Sequence, residues 1–206
     1  MILMQLHTSL VILHLAAMTV GFGCAVAADY LVLRGAVLRP ITPDLVRMAH
    51  HLGGLVTVGL GALWLSGAAL IVEMHIVGQP ILTNEKLWAK IAIVCMLTGN
   101  ALVIHQIVMP CLEAQTGRRF FDGLATRHRI TAVLAGAVSL TSWIFPLVLG
   151  CAREWNWVVP YRTILAAYVS TLAVVLLTGL VLFLDWKGLM RAWPVGGARQ
   201  RERVQA

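Results

Sequence analysis

Five long apolar stretches, at residues 4–33, 45–77, 87–109, 130–150 and 161–184, are separated by short polar segments. About 20 apolar residues are needed for a helix to cross ~30 Å of hydrocarbon at ~1.5 Å per residue, and each stretch reaches that length. Apolar residues run on without the alternation of a membrane strand, so helices are predicted rather than a barrel. The pattern predicts an all-α fold: one transmembrane domain of five helices over residues 1–186, then a polar, partly disordered tail over residues 187–206. Thr42-Pro43-Asp44 predicts an N-cap, a first-turn proline and a first-turn acid for the second helix. Thr83-Asn84-Glu85 predicts the start of the third. Pro110 is expected to close the third helix, Pro146 to kink the fourth and Pro160 to open the fifth. Gly54, Gly61 and Ala68, with Ala132 and Gly136, are the small residues expected at helix contacts.

Composition agrees with this pattern: 59% of residues are hydrophobic and 12% charged, against roughly 25% charged in soluble domains. Charge adds a direction. With the N-terminus outside, Arg34, Arg39, Arg47, Arg118, Arg119, Arg127, Arg129, Lys187, Arg191, Arg199, Arg201 and Arg203 fall on the inner side. Only Lys86, Lys90, Arg153 and Arg162 fall outside. The positive-inside rule then predicts a cytoplasmic C-terminus in a bacterial-type inner membrane. A net charge of +7 follows from topology and anionic lipid, and no nucleic-acid partner is expected. Trp88, Trp155, Trp157 and Tyr161 are expected at the outer interface, with Trp186 and Trp193 at the inner one. Residues 4–33 read as a retained span, since no basic segment precedes them. Cys24, Cys95, Cys111 and Cys151 lack paired spacing and read as buried small hydrophobes.

Ionisable side chains are costly in hydrocarbon, so each one within a span is a candidate for function. Toward the outer side, Met4, His7, Val11, His14 and Met18 form a stripe at a/d spacing, with Lys90 one turn into the third helix. An imidazole beside an ammonium suits haem, the nitrogen binding iron and the cation a propionate. Methionine and histidine together suit cuprous copper, while the bland reading of such a stripe is helix packing. Toward the inner side fall His50, His51, His105 and His128, with Arg127 and Arg129 flanking His128. His105 is a second ligand candidate there, and Arg127, His128 and Arg129 are candidate propionate or haem contacts. His14 and His105 lie too far apart in depth for one iron, so they serve two haems or only one is a ligand. Met96 lies near the depth of His14 and offers a His/Met site. Asp29, deep in the first span, is expected to pair with Arg34.

His14-Leu15 followed by Gly21 and Gly23, then Gly53-Gly54-Leu55-Val56-Thr57-Val58 and Gly67, then Lys86-Leu87-Trp88-Ala89-Lys90 with Asn100 and His105, carry a resemblance. Over roughly residues 5–150 the chain resembles the membrane superfamily of HemJ-type protoporphyrinogen oxidases and CopD-type copper-resistance proteins. In HemJ-type proteins a first-helix histidine and a third-helix lysine are the functional pair, and these match His14 and Lys90. Ala89 stands where that family tends to have histidine, and Arg127-His128-Arg129 replaces an acidic motif. The resemblance implies haem or porphyrin handling, and a membrane oxidoreductase is one form it takes. The expectation is a haem-b-binding redox protein exchanging electrons with quinone or a porphyrin. The alternatives are a copper-binding or copper-transporting protein, or a non-catalytic subunit of a larger respiratory or photosynthetic complex; a homo-oligomer or a larger membrane complex is the assembly expected.

Overall fold

The computed structural model describes residues 2–184, all of whose long elements are helices. The predicted tail over residues 187–206, with its basic residues and Trp193, lies outside the described residues, as does Trp186. The elements are α1 (Ile2–Val37), α2 (Pro43–Ile76), α3 (Glu85–Val103), a π-helical segment (Ile104–Val108), α4 (Met109–Ala114), α5 (Thr126–Cys151) and α6 (Tyr161–Leu184). Five stretches, Met4–Ala36, Pro43–Ile76, Glu85–Ala114, Thr126–Cys151 and Tyr161–Phe183, are long and apolar enough to cross a membrane. The chain is a multi-pass membrane protein in contact with a lipid bilayer.

The caps fall where the polar punctuation puts them. Leu45 N–H donates to Thr42 Oγ1 at 3.2 Å, and Lys86 N–H donates to Asn84 Oδ1 at 3.1 Å. Each satisfies an amide the first helical turn leaves without a carbonyl. The third span corrects one expectation, because Pro110 does not end it. Proline lacks an amide and its ring would collide with the carbonyl four residues back, here that of Gln106. The π-helical segment removes the conflict: Met109 N–H reaches back five residues to Ile104 O, and the helix continues to Ala114. Pro146 lies inside an unbroken α5.

The helices form two layers. The antiparallel hairpin of α1 and α2 packs along its length, and α3, α5 and α6 pack together beside it. The hairpin seam has a seven-residue repeat. His7 meets Glu73, His14 meets Ser66, Gly21 meets Gly59, and Gly35 meets Leu45. Each seven-residue advance along α1 matches an equal retreat along α2, the period that keeps one helix stripe facing its partner. At Gly21 the seam is tightest. A Cβ built on Gly59 would lie 2.8 Å from the Gly21 Cα and 3.2 Å from the Ala17 carbonyl oxygen. A Cβ on Gly21 would lie 2.4 Å from the ring of Trp143, the fully buried α5 side chain that joins the second layer to the hairpin.

Of the five small residues expected to make contacts, Ala132 packs against the core near the Arg39 end, and the other four do not make close contacts. A Cβ on Gly54, Gly61 or Gly136 would meet nothing within 4 Å, and Ala68 is exposed. Gly54 and Gly61 each lie two positions past a seam residue, roughly 200° around the helix, so they share the seven-residue spacing but occupy the opposite face.

Loops fasten the ends. At the end where α1 finishes and α2 begins, Gly117 N–H donates to Ile41 O and Ile41 N–H to Arg118 O, both at 2.8 Å, while Phe120 N–H reaches Gly35 O at 3.1 Å. Phe120 and Phe121 thereby insert into the core between the layers. At the opposite end Lys86 Nζ donates to Ala152 O, and the Tyr161 amide donates to Glu85 Oε2 at 2.6 Å.

Substituting Gly59→Leu is expected to destabilise the protein by about 1–3 kcal/mol or more through overpacking, while Gly54→Leu leaves it within ~0.5 kcal/mol. Thermal unfolding of the two variants in the same detergent checks this. Equal losses would show that the close crossing at Gly21 is not the tight point of the hairpin.

Candidate functional site

The strongest candidate begins with a serine in the middle of an apolar helix. Ser66 lies within α2 and is buried, so its hydroxyl must find a partner in the protein. It donates to the carbonyl one turn back, Ala62 O, at 2.6 Å. A hydroxyl has a single hydrogen. With that hydrogen committed, Ser66 Oγ can only accept from His14, whose Nδ1 lies 2.9 Å away. His14 is thus held as the Nδ1–H tautomer, assigned from the hydrogen-bond inventory, and its Nε2 lone pair is left uncommitted. Gly67 makes room for the ring: a Cβ there would lie 3.3 Å from His14 Cε1.

Lys90 lies close enough to His14 to act on it electrostatically. It makes no hydrogen bond or ion pair among the described residues, in contrast to Lys86 one turn earlier, which is bound to Ala152 O. The pair joins the two layers, His14 on the hairpin and Lys90 on α3. The remainder of the predicted Met–His stripe is divided up by the fold. Met18 is buried among Ala17, Leu60 and Leu63, His7 shares a hydrogen bond of 2.8 Å with Glu73 Oε2, and Met4 is 71% exposed. Met96 is 52% exposed, on the outer face of α3 whose buried face carries Ile93, Leu97 and Asn100.

At the other end, His105 sits in the π-helical segment and meets α2. Its Nε2 lies 3.2 Å from Thr57 Oγ1, which donates to Gly53 O at 2.9 Å. By the same hydrogen count, His105 Nε2–H donates and Nδ1 stays free. The anchors Ser66 and Thr57 are nine residues apart on α2, roughly 13 Å along its axis, so one iron cannot take both imidazoles. His50 pairs with Glu113 at 2.5 Å, His51 is exposed, and His128 is half-buried at the start of α5. Arg129 Nε donates to Leu124 O at 2.8 Å, and Arg127 is exposed. Among the described residues no three His, Cys, Asp or Glu side chains converge as a metal cage.

Asp29 corrects another expectation. No ion pair joins it to Arg34; its carboxyl meets the Ser139 hydroxyl of α5 instead. Five residues along an α-helix rotate a side chain by roughly 140°, which turns Arg34 away from Asp29. Asp29, Ser139 and His105 all line a cavity of about 330 Å³ between the two layers, otherwise apolar and closed toward the Arg39 end by Phe120, Phe121 and Phe183.

Comparison of the chain with protein-family models, curated proteins and solved structures finds no match.

Ser66 and Ser139, and the anchoring role of Thr57, do not stand out in the sequence because a hydroxyl in an apolar helix is ordinarily absorbed by its own backbone. The signal that would have found Ser66 is hairpin register. Folding the first two apolar stretches back on one another about the polar turn near Arg39 sets residue 14 against residue 66.

In Ser66→Ala protein the His14 ring is expected to lose its tautomer preference, with a stability cost of about 1 kcal/mol. Nitrogen NMR of isotope-labelled histidine reads the tautomer directly. The same Nδ1–H population with and without the serine would show that Ser66 does not orient the ring.

Proposed function

We propose that this chain is a haem-b-binding membrane redox protein, with His14 Nε2 as iron ligand and Lys90 as partner of a haem propionate. One observation carries the reading: a histidine whose Nδ1 is held by Ser66, with Nε2 left free, lies within electrostatic range of a lysine that makes no hydrogen bond or ion pair among the described residues. Metal-binding histidines characteristically donate their other ring N–H to a fixed acceptor, and Ser66 Oγ supplies that acceptor. Gly67 keeps bulk away from the ring. The resemblance of His14, Gly21, Lys86-Leu87-Trp88-Ala89-Lys90 and Asn100 to the HemJ-type pattern supports the same pair. Haem would supply a one-electron centre; the chain supplies the ligand, its tautomer and a compensating cation. Copper along Met4, His7, His14 and Met18 is less well supported, because Glu73 occupies His7 and packing occupies Met18.

Purified protein from haem-replete cells is expected to show Soret and alpha bands that shift on reduction. His14→Ala should abolish them. Lys90→Ala should weaken haem retention roughly tenfold or more, the scale of a lost charge-assisted contact, with Lys90→Arg restoring most of it. Colourless wild-type protein overturns the reading, and stoichiometric copper without haem would favour the copper alternative.

We further propose that the end bearing Lys86 and Arg153 faces the cell exterior, in a bacterial-type inner membrane. Of the described basic residues, seven (Arg34, Arg39, Arg47, Arg118, Arg119, Arg127 and Arg129) gather at one end and four (Lys86, Lys90, Arg153 and Arg162) at the other. Cys151 is exposed at the end with fewer charges, while Cys95 is exposed in mid-span and faces hydrocarbon. A membrane-impermeant thiol reagent is expected to label Cys151 in intact cells. Labelling that requires permeabilisation would reverse the orientation.

A further inference from the structure

The cavity near the Arg39 end is separate from His14. On the hairpin seam, Gly21 and the Trp143 packed on it fall between the His14 level and the cavity, which begins at Ala25. We propose that this cavity binds a lipid-soluble quinol, one ring hydroxyl donating to the Asp29 carboxylate beside Ser139 and the opposite one donating to His105 Nδ1.

Three features argue for an occupant of this kind. The first is the lining. At about 330 Å³ the space is at the small end of ligand pockets, and Asp29, Ser139 and His105 stand out against aliphatic and aromatic walls. An aspartate in an apolar span is costly, and here Arg34 does not compensate it. His105 has one nitrogen bound to Thr57, and Nδ1 has no partner among the described residues.

The second is the arrangement of these polar groups. Asp29 and Ser139 come from α1 and α5, while His105 comes from the π-helical segment after α3. In the seam register Thr57 and Gly53, which hold His105, fall opposite Gly23 and Ala27. His105 and Asp29 are therefore within roughly two helical turns of one another along the axis. A ring with oxygens on opposed edges can meet both sides at once. An acyl chain would leave both sides without partners, and a fatty-acid carboxylate would confront the Asp29 carboxyl. π-helical turns also recur at functional sites, and this one carries His105.

The third is access. Val26, Leu33 and Leu140 line the cavity and are exposed, so its mouth opens sideways, where hydrocarbon surrounds the helices. A ligand entering there travels through lipid and must be largely apolar.

This site stands whether or not His14 binds haem, so it is tested in haem-free protein. The probes are decylubiquinol and an azido-quinol photolabel, kept reduced, used on protein in lipid nanodiscs. Gly136 lines the cavity and has open space at its Cβ, so Gly136→Phe places a ring in the cavity. Gly54→Phe adds the same bulk on the outward face of α2. Photolabelling is expected to saturate, to map to α1 and α5 near Asp29 and Ser139, and to be displaced by decylubiquinol. Gly136→Phe should weaken binding roughly tenfold or more, Asp29→Leu and Ser139→Ala several-fold, and Gly54→Phe should leave it unchanged. Equal affinity in the Gly136 and Gly54 variants, or labelling that never saturates, overturns the proposal. So does a tightly held phospholipid that the quinol fails to displace. If Gly136→Phe does not fold, unchanged affinity in both Asp29→Leu and Ser139→Ala overturns it.

Discussion

Hydrocarbon offers no hydrogen-bond partners, so a polar group inside a span must be satisfied by the chain itself or remain at a cost of several kcal/mol. Several threonines along the helices, Thr19, Thr98, Thr131 and Thr178 among them, meet this demand by donating to a carbonyl one turn earlier. At Ser66 and Thr57 the same habit has a second effect. A hydroxyl whose hydrogen is committed to backbone becomes a fixed acceptor, and a fixed acceptor selects one tautomer of any imidazole placed against it. His14 donates through Nδ1 and His105 through Nε2, so the two rings offer opposite nitrogens. The requirement that keeps helices intact in lipid therefore also prepares the two imidazoles. Asn100 meets the requirement differently, donating across the layer to Ala135 O at 2.9 Å, as Ser142 and Tyr168 do for one another at 2.8 Å.

Packing decides where those groups meet. The hairpin and the second layer touch closely at Gly21, where Trp143 covers a glycine that already contacts Gly59. A helix pair can approach that closely only where both partners lack a side chain, and in lipid such close packing is a main source of association. Toward the Arg39 end, the layers separate around the cavity until Phe120 and Phe121 close it. The connecting segment from Gln115 to Ala125 thus contributes Phe120 and Phe121 to the core, held by backbone hydrogen bonds to Ile41 and Gly35. Nothing in its polar composition suggested that role.

What could be read from the sequence follows from which forces act locally. Span positions and the Thr42 and Asn84 caps were legible, because length, hydropathy and capping chemistry act over a few residues. His14 and Lys90 were legible as candidates because ionisable groups stand out in apolar runs. Partner choice was not. Gly54, Gly61 and Ala68 show the repeat of a packing face, but a period identifies a stripe and not which of several stripes is buried. Pro110 reads as a stop because proline rules describe an α-helix, and a π-helical turn changes the hydrogen-bond register on which those rules rest. Closeness in sequence pairs Asp29 with Arg34, whereas helical rotation turns it toward Ser139 on a distant segment.

The glycine pair also accounts for how a low-complexity apolar hairpin keeps one register. A seven-residue repeat is degenerate by construction, since sliding α2 by one repeat would again set stripe against stripe. Such a slip would bring His14 against Gly59 or Glu73 and leave Ser66 opposite His7 or Gly21. It would also set Gly21 against Leu52 or Ser66, where a side-chain Cβ would come as close as the 2.8 Å that one on Gly59 would have from the Gly21 Cα, itself crowded by Trp143. Only the observed register sets glycine against glycine. His7–Glu73 and His14–Ser66 are then consequences of a steric match one and two repeats away, so polar chemistry that is weakly specified along the sequence is placed by the two residues that have no side chain.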